Sequence, residues 1–278
     1  MNIARMMKPI SIYLFSLCLM VLGTLSAQAQ ATTDSVAHPS AQAGGTVAET
    51  SKPMADEAYA AGDYQRAIAL YEQILATQGE AADIYYNLGN SYYKGEQIAK
   101  AILHYERALQ LAPGDDDIRF NLELARSKTV DKITPLSEVF FITWARNFAN
   151  LLSSDAWAKC GIAFFLLFIV AVSAYIFGRK IAVRKVAFFA GLLFLAICIV
   201  ANISASYQKG QRLNHTEAIV MHPTVSVKST PDKSGTDLFV LHEGCKVEIK
   251  DNTMSNWKEI RLPDGNVGWL PAESIEAI

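Results

Sequence analysis

The acidic run Asp115-Asp116-Asp117, four cysteines and five histidines are the first places to look for chemistry. The acidic run lacks the Gly and Glu spacing of a calcium loop and reads as a turn with a helix cap. There is no Gly-Lys-Ser/Thr phosphate loop, no His-Glu-x-x-His and no Gly-x-Ser-x-Gly. Cys18, Cys160, Cys198 and Cys245 do not have zinc spacing, and the histidines are scattered. The expectation is a protein that is not an enzyme and holds no cofactor or metal. What remains is recognition. Tyr86, Asn87, Asn90 and Tyr93, with Lys94 and Arg119 nearby, are the candidate partner contacts, and Trp269 is the candidate for a second ligand face.

The elements that hold these residues are set by two apolar runs, 157–178 and 186–207. Each is about 22 residues, so as a helix it rises ~33 Å, enough for a hydrocarbon core of ~30 Å. The linker 179–185 contains Arg179, Lys180, Arg184 and Lys185. A linker this short makes an antiparallel hairpin, and its basic residues place it on the cytoplasmic side. Both flanking parts then lie on the outer face. Cys160 and Cys198 differ in depth by ~9 Å along their helices, too far for a disulfide. Cys245 has no outward-facing partner. Hydrophobic residues make up 51% of the chain and net charge is −2, so nucleic acid is not an expected partner.

Residues 1–29 read as a secretory signal: Arg5 and Lys8, an apolar stretch from Ile10 to Leu25, then Ala27-Gln28-Ala29. The competing reading is a third membrane helix. Residues 30–52 are small and polar and read as a flexible tether.

From Pro53 the pattern becomes helical and repeats. Ala67-Ile68 recurs as Ala101-Ile102, and Tyr71-Glu72 as Tyr105-Glu106, each 34 positions apart. In the copy at 82–115, Tyr85, Leu88, Gly89, Tyr92, Ala101, Tyr105, Ala108 and Pro113 fall on the signature positions of the tetratricopeptide repeat, which this stretch resembles. The copy at 48–81 is degenerate, with Met54-Ala55 in place of Leu-Gly, and 116–131 reads as a capping helix. That resemblance implies a concave face built from the first helices and lined by Tyr86, Asn87, Asn90 and Tyr93. Family members that hold peptide carboxylates use Asn at the positions of Asn87 and Asn90, with Lys or Arg nearby, here Lys94 and Arg119. The other reading is a solvated face of ordinary consensus residues. Two repeats and a cap fall short of the three or so such stacks need, so further contacts should come from the next segment or from a partner.

Residues 132–156 carry Phe140, Trp144, Phe148 and Leu151/Leu152 at helical spacing. They read either as an amphipathic helix at the membrane interface or as packing under the stack. After a polar stalk, β-rich runs alternate with turns over 214–278. Val225-Ser226-Val227-Lys228-Ser229, Glu243-Gly244, Trp257-Lys258-Glu259-Ile260 and Gly268-Trp269-Leu270 resemble a bacterial SH3 domain. Trp257 reads as core, and Trp269 as core or ligand face. The expected fold is therefore a multidomain membrane protein: an α-helical tetratricopeptide repeat stack, a two-helix transmembrane hairpin and a small all-β SH3-like barrel.

That domain order resembles the BatE-type tetratricopeptide proteins of bacterial aerotolerance (Bat) operons. The resemblance implies an inner-membrane scaffold with both soluble modules periplasmic. Its implied partners are von Willebrand factor A-type Bat proteins and, indirectly, a MoxR-type ATPase, in stress tolerance or envelope maintenance. A cell-wall sensor binding peptidoglycan through the SH3 barrel is the alternative.

Overall fold

The computed structural model describes residues 51–134, 136, 140–214 and 216–278, with the side chains of 211–214 excepted. The expected signal peptide, and the tether up to residue 50, lie outside the described residues. Among the described residues five helices come first: α1 (Lys52–Ala60), α2 (Tyr64–Gln78), α3 (Ala82–Lys94), α4 (Ile98–Leu111) and α5 (Asp116–Arg126). Asp63 accepts from the Arg66 N–H to cap α2, and Asp115 accepts from the N–H groups of Asp117 and Ile118 to cap α5. The acidic run at 115–117 thus begins a helix. Where α3 crosses α4 the buried Tyr105 ring lies directly against the α3 backbone: a Cβ on Gly89 would lie 2.7 Å from that ring, so only glycine fits.

Three further helices follow: α6 (Phe140–Ala149), α7 (Ser154–Phe177) and α8 (Ile181–Asn214). Ser153 accepts from the Ala156 N–H and caps α7. The spans Ser154–Phe177 and Ile181–Gly210 each reach a mean hydropathy of 2.6, so both helices are long and apolar enough to cross a membrane. The turn between them is only Gly178-Arg179-Lys180, because α8 starts early and takes in Arg184 and Lys185. It also runs on through the residues expected as a stalk. Gln208 explains this: its Nε2 donates to the carbonyls of Ala149 (2.6 Å) and Leu152 (2.8 Å), pinning the end of α8 to α6. The Trp157 Nε1 donates to the same Ala149 carbonyl at 2.7 Å. On α6, Phe140 is 82% and Trp144 63% exposed, so its aromatic face is not packed under the helical stack.

The C-terminal part is a seven-stranded antiparallel sheet: β1 (Glu217–Val220), β2 (Thr224–Lys228), β3 (Asp237–His242), β4 (Lys246–Asp251), β5 (Trp257–Arg261), β6 (Val267–Pro271) and β7 (Ile275–Ala277), in the order β3-β2-β6-β5-β4-β1-β7. Ala218, Val220, Val227, Leu241, Val247, Ile260 and Leu270 from six strands enter one core, so the sheet curls around them. Trp257 is not in that core. It is half-buried at the start of β5, and Ile260 and Leu262 fill the interior instead. Cys245 is buried and unpaired, and burial pushes its thiol up to about 12.

The sheet is docked on the helical stack, and this supplies the contacts that two repeats lack. Successive β1 residues point to opposite faces. Ala218 and Val220 enter the sheet core, whereas Ile219, together with Ile278, packs into the helical core. Helix α4 is consequently buried nearly all round, including Leu103, His104 and Glu106. Gly244 (φ +84°) turns the chain against α4, where a Cβ would lie 2.7 Å from Thr129 and 3.1 Å from Ile102.

Charges seal the junction. The Glu106 carboxylate, 6% exposed, pairs with Arg126 and with Lys246 at 3.0 Å, and Lys246 also reaches Glu217 at 2.8 Å. Arg107 donates to Glu276 at 3.0 Å and to the Ala277 carbonyl at 2.7 Å. Asp131 accepts from the His242 backbone N–H at 2.7 Å and lies 2.9 Å from its Nδ1. Burial alone would raise the Glu106 pKa, but Lys246 and Arg126 outweigh it and hold it below 4.5. His104, stacked between Tyr85 and Tyr92, is pushed down to about 3, first by burial and then by Arg107 and Lys100, and so stays neutral.

Because the folded pKa of Glu106 is depressed, its contribution is fully present above 4.5 and is lost as pH falls through the folded value. Glu106→Ala leaves Lys246 and Arg126 facing a buried void and should cost about 3–5 kcal/mol. Urea denaturation of the full chain in detergent, followed by tryptophan fluorescence at pH 7 and pH 3.5, checks both. The variant should be the weaker protein at pH 7, and the gap should narrow in acid.

Candidate functional site

Helices α1, α3 and α5 stand side by side, and the face they share is away from the sheet, which touches α4. A hydrogen-bond ladder runs along it. Tyr71 Oη donates to Asp56 Oδ1 at 2.5 Å, and Asn87 Nδ2 donates to the same oxygen at 3.2 Å. One repeat on, Tyr105 Oη donates to Asn90 Oδ1 at 2.7 Å, and Asn121 Nδ2 donates to that oxygen at 3.0 Å. The three positions of the first rung, 56, 71 and 87, recur as 90, 105 and 121, each 34 residues later. Burial, helped by the Asp56 bond, raises the Tyr71 pKa, and burial raises that of Tyr105, so both hydroxyls remain donors.

The ladder gives the two asparagines work inside the chain. Asn90 accepts from two donors within the stack, and Asn87 bridges α3 to α1. Tyr86 is half-buried, accepts from Asn121 Nδ2 at 2.9 Å and tilts onto the Tyr105 ring. Tyr93 is half-buried with the Lys128 ammonium 4.4 Å from its ring centre. Lys94 is exposed at the end of α3. These five residues share one region. Arg119 is not with them: it pairs with Asp116 at 2.5 Å and donates to the Pro113 carbonyl at 2.8 Å, in a cleft on another side of α5. Trp269 stands on the sheet face opposite Leu270, half-buried, with Lys228 and Glu259 as cross-strand neighbours.

Sequence reasoning missed two groups. At 120 and 124, one repeat beyond Tyr86 and Asn90, stand Phe120 and Leu124, which are 69% and 41% exposed. With Leu at 124 the ladder has no acceptor for another rung, and an apolar surface continues the face. The 34-residue offset that identified the repeat was sufficient to find both. The second group is Glu106, Arg126 and Lys246, whose meeting depends on the docked sheet and leaves no local signal. Among the described residues no group of three His, Cys, Asp or Glu could hold a metal ion.

Residues 53–116 match the tetratricopeptide repeat family. Such repeats are typically non-catalytic protein–protein interaction modules, and this stretch is read as one. Curated proteins give no match to the chain.

The ladder separates framework from contact. Asn90→Ala leaves the buried Tyr105 hydroxyl and Asn121 without their acceptor and should cost about 1–3 kcal/mol, whereas Lys94→Ala should change stability by less than about 0.5 kcal/mol. Chemical denaturation of the two variants beside the parent chain decides it.

Proposed function

We propose that this chain is a membrane-anchored scaffold whose repeat stack grips a partner protein on its open face. One observation carries the reading: the α4 side of the stack is sealed by the sheet, while the opposite side, among the described residues, exposes Phe120 and Leu124 in line with the half-buried Tyr86 and Tyr93. Apolar side chains of that size left open beside a polar ladder suit an apolar segment of another protein. The Asn90 carbonyl oxygen and an Asn87 N–H are engaged inside the stack, and the bound segment is held mainly by apolar and aromatic contact, with Lys94 and Lys128 at its edge. A terminal carboxylate is not required.

The hairpin α7–α8 is the anchor. Its apolar side chains, including Val170, Leu192 and Ile203, are largely uncovered, which favours lipid as their solvent. The basic turn lies on the cytoplasmic side, and the stack and sheet share the periplasmic side of an inner membrane. The exposed aromatics of α6 then rest at the interface. The sheet acts as an SH3-like module, and the assembly resembles the Bat-type arrangement, with von Willebrand factor A-type Bat proteins as partners and a MoxR-type ATPase further removed. Trp269, on the outer sheet face, supports a second reading, in which that module touches peptidoglycan.

Two measurements test the reading. Protease added to intact spheroplasts should digest both the stack and the sheet; protection of either, while an exported control is cut, contradicts the placement. The full chain carrying Phe120→Ser and Leu124→Ser should fold normally yet lose at least tenfold of its co-purifying membrane partner. Unchanged recovery would remove the open face from the account. Loss of binding to purified sacculi by Trp269→Ala, with partner recovery intact, would instead favour the peptidoglycan reading.

A further inference from the structure

The edge at which the repeat stack stops differs from the joints before it. Each joint has an outgoing and an incoming side. Asp56 on α1 accepts from Asn87 on α3, and Asn90 and Tyr86 on α3 both accept from Asn121 on α5. One repeat on, the outgoing positions of α5 carry Phe120 and Leu124. The hydrogen-bond acceptor of the earlier joints is gone, and among the described residues the two side chains are left 69% and 41% exposed. A terminal repeat ordinarily closes with a polar outer face. This one ends on an apolar joint, which suits a further helix in place of the next repeat.

The charges say which helix. Asp117, Phe120, Leu124 and Lys128 stand at i, i+3, i+7 and i+11, so they form one stripe along α5 and the turn that continues it. That turn is still closed, for the Lys128 N–H donates to the Ala125 carbonyl. Asp117 and Lys128 are exposed, and neither meets an opposite charge among the described residues. Lys128 lies over the Tyr93 ring. The stripe is therefore negative at one end, positive at the other and apolar between. A pattern of this kind is complementary to itself when reversed. In an antiparallel pair centred beside Leu122, Phe120 of each copy meets Leu124 of the other, and each Asp117 meets the other copy's Lys128. A parallel pair would set like charges together.

We propose that the outer edge of α5 docks on the α5 of a second copy of this chain, antiparallel and about a two-fold axis. The proposal rests on reading the open face as a protein-docking surface, and it names the occupant of the edge of that face. The interface is isologous and closes at two copies. Helix α5 has 11 residues, and one helix pair of that length buries less than the roughly 1,200–2,000 Å² of a standard interface. The joint is therefore weak between free molecules. It forms where the hairpins hold copies in one membrane and raise their effective concentration. Tyr86 and Tyr93 lie on α3, outside the joint, and stay available to a different protein.

The full chain is to be made in light and heavy isotopic forms, mixed, reconstituted in liposomes and treated with a carbodiimide, which couples a carboxylate to an amine where the two touch. Asp117 and Lys128 of one copy are roughly 16 Å apart along the helix, so a link between them forms only between copies. The expected product is an Asp117–Lys128 link joining a light peptide to a heavy one, and its absence overturns the proposal. The dimer fraction is then counted by photobleaching steps of labelled chain in the same liposomes. Lys128→Asp should weaken association at least tenfold, and adding Asp117→Lys should restore it, with both melting temperatures close to the parent's. Association that Lys128→Asp leaves unchanged, or that the double exchange fails to restore, overturns the proposal. If the link is absent while Phe120→Ser with Leu124→Ser still strips away the membrane partner, the docking face stands with a different occupant and only this assignment falls. No link together with unchanged partner recovery overturns both.

Discussion

The structure depends on one buried carboxylate. Glu106 sits in the middle of α4, on the side a repeat helix normally turns to solvent, and here that side is covered by β1 and β4. Its charge is tolerable there only because Arg126 from α5 and Lys246 from β4 close on it together. Desolvating three charges is expensive, and the return comes only in a single arrangement of stack, cap and sheet. The triad thus fixes register between modules more than it adds stability. The apolar part of the joint, Ile219 and Ile278 against α4, is indifferent to such detail.

Docking of this kind answers a problem of size. Two repeats and a cap expose too much of their last layer to stand alone. The sheet has only a small core of its own, built largely from Val, Ile and Leu. Each module covers the other's weak face. After α5 the chain is held to the sheet by Asp131 against His242 and by the Leu136 N–H on the Pro263 carbonyl. The hairpin leaves this body and returns to it, pinned at the return by Gln208. Among the described residues, the side of the stack with Phe120 and Leu124 is left exposed.

Much of the fold was legible because its signals are local or periodic. The 34-residue recurrence gave the helical pairs. The two long apolar runs gave α7 and α8, and short β-rich runs between turns gave six of the seven strands. The docking was not legible, since Glu106 and Lys246 are joined only by the tertiary fold. Even so, α4 had a sign of it: Leu103 and His104 occupy positions where a solvated helix would be polar. The site was half legible. Tyr86, Asn87, Asn90 and Tyr93 do share a face, but type alone cannot show that Asn90 is spent on Tyr105 and Asn121. Arg119 shows the same limit, because a helix residue near in sequence can face another cleft. Trp257 was read as core on size, and the smaller Ile260 took the place because strand alternation points it inward.

Hydrogen exchange tests the central claim most directly. The backbone amides of Ile102–Ala108 in α4 are to be followed in the full chain and in a chain ending at Asn214. If the sheet seals this helix, those amides exchange as slowly as the most protected in the full chain, and markedly faster once the sheet is removed. Equal exchange in both chains would contradict the account: equally slow, it would mean that the stack holds α4 without the sheet's help, and equally rapid, that the sheet does not seal α4.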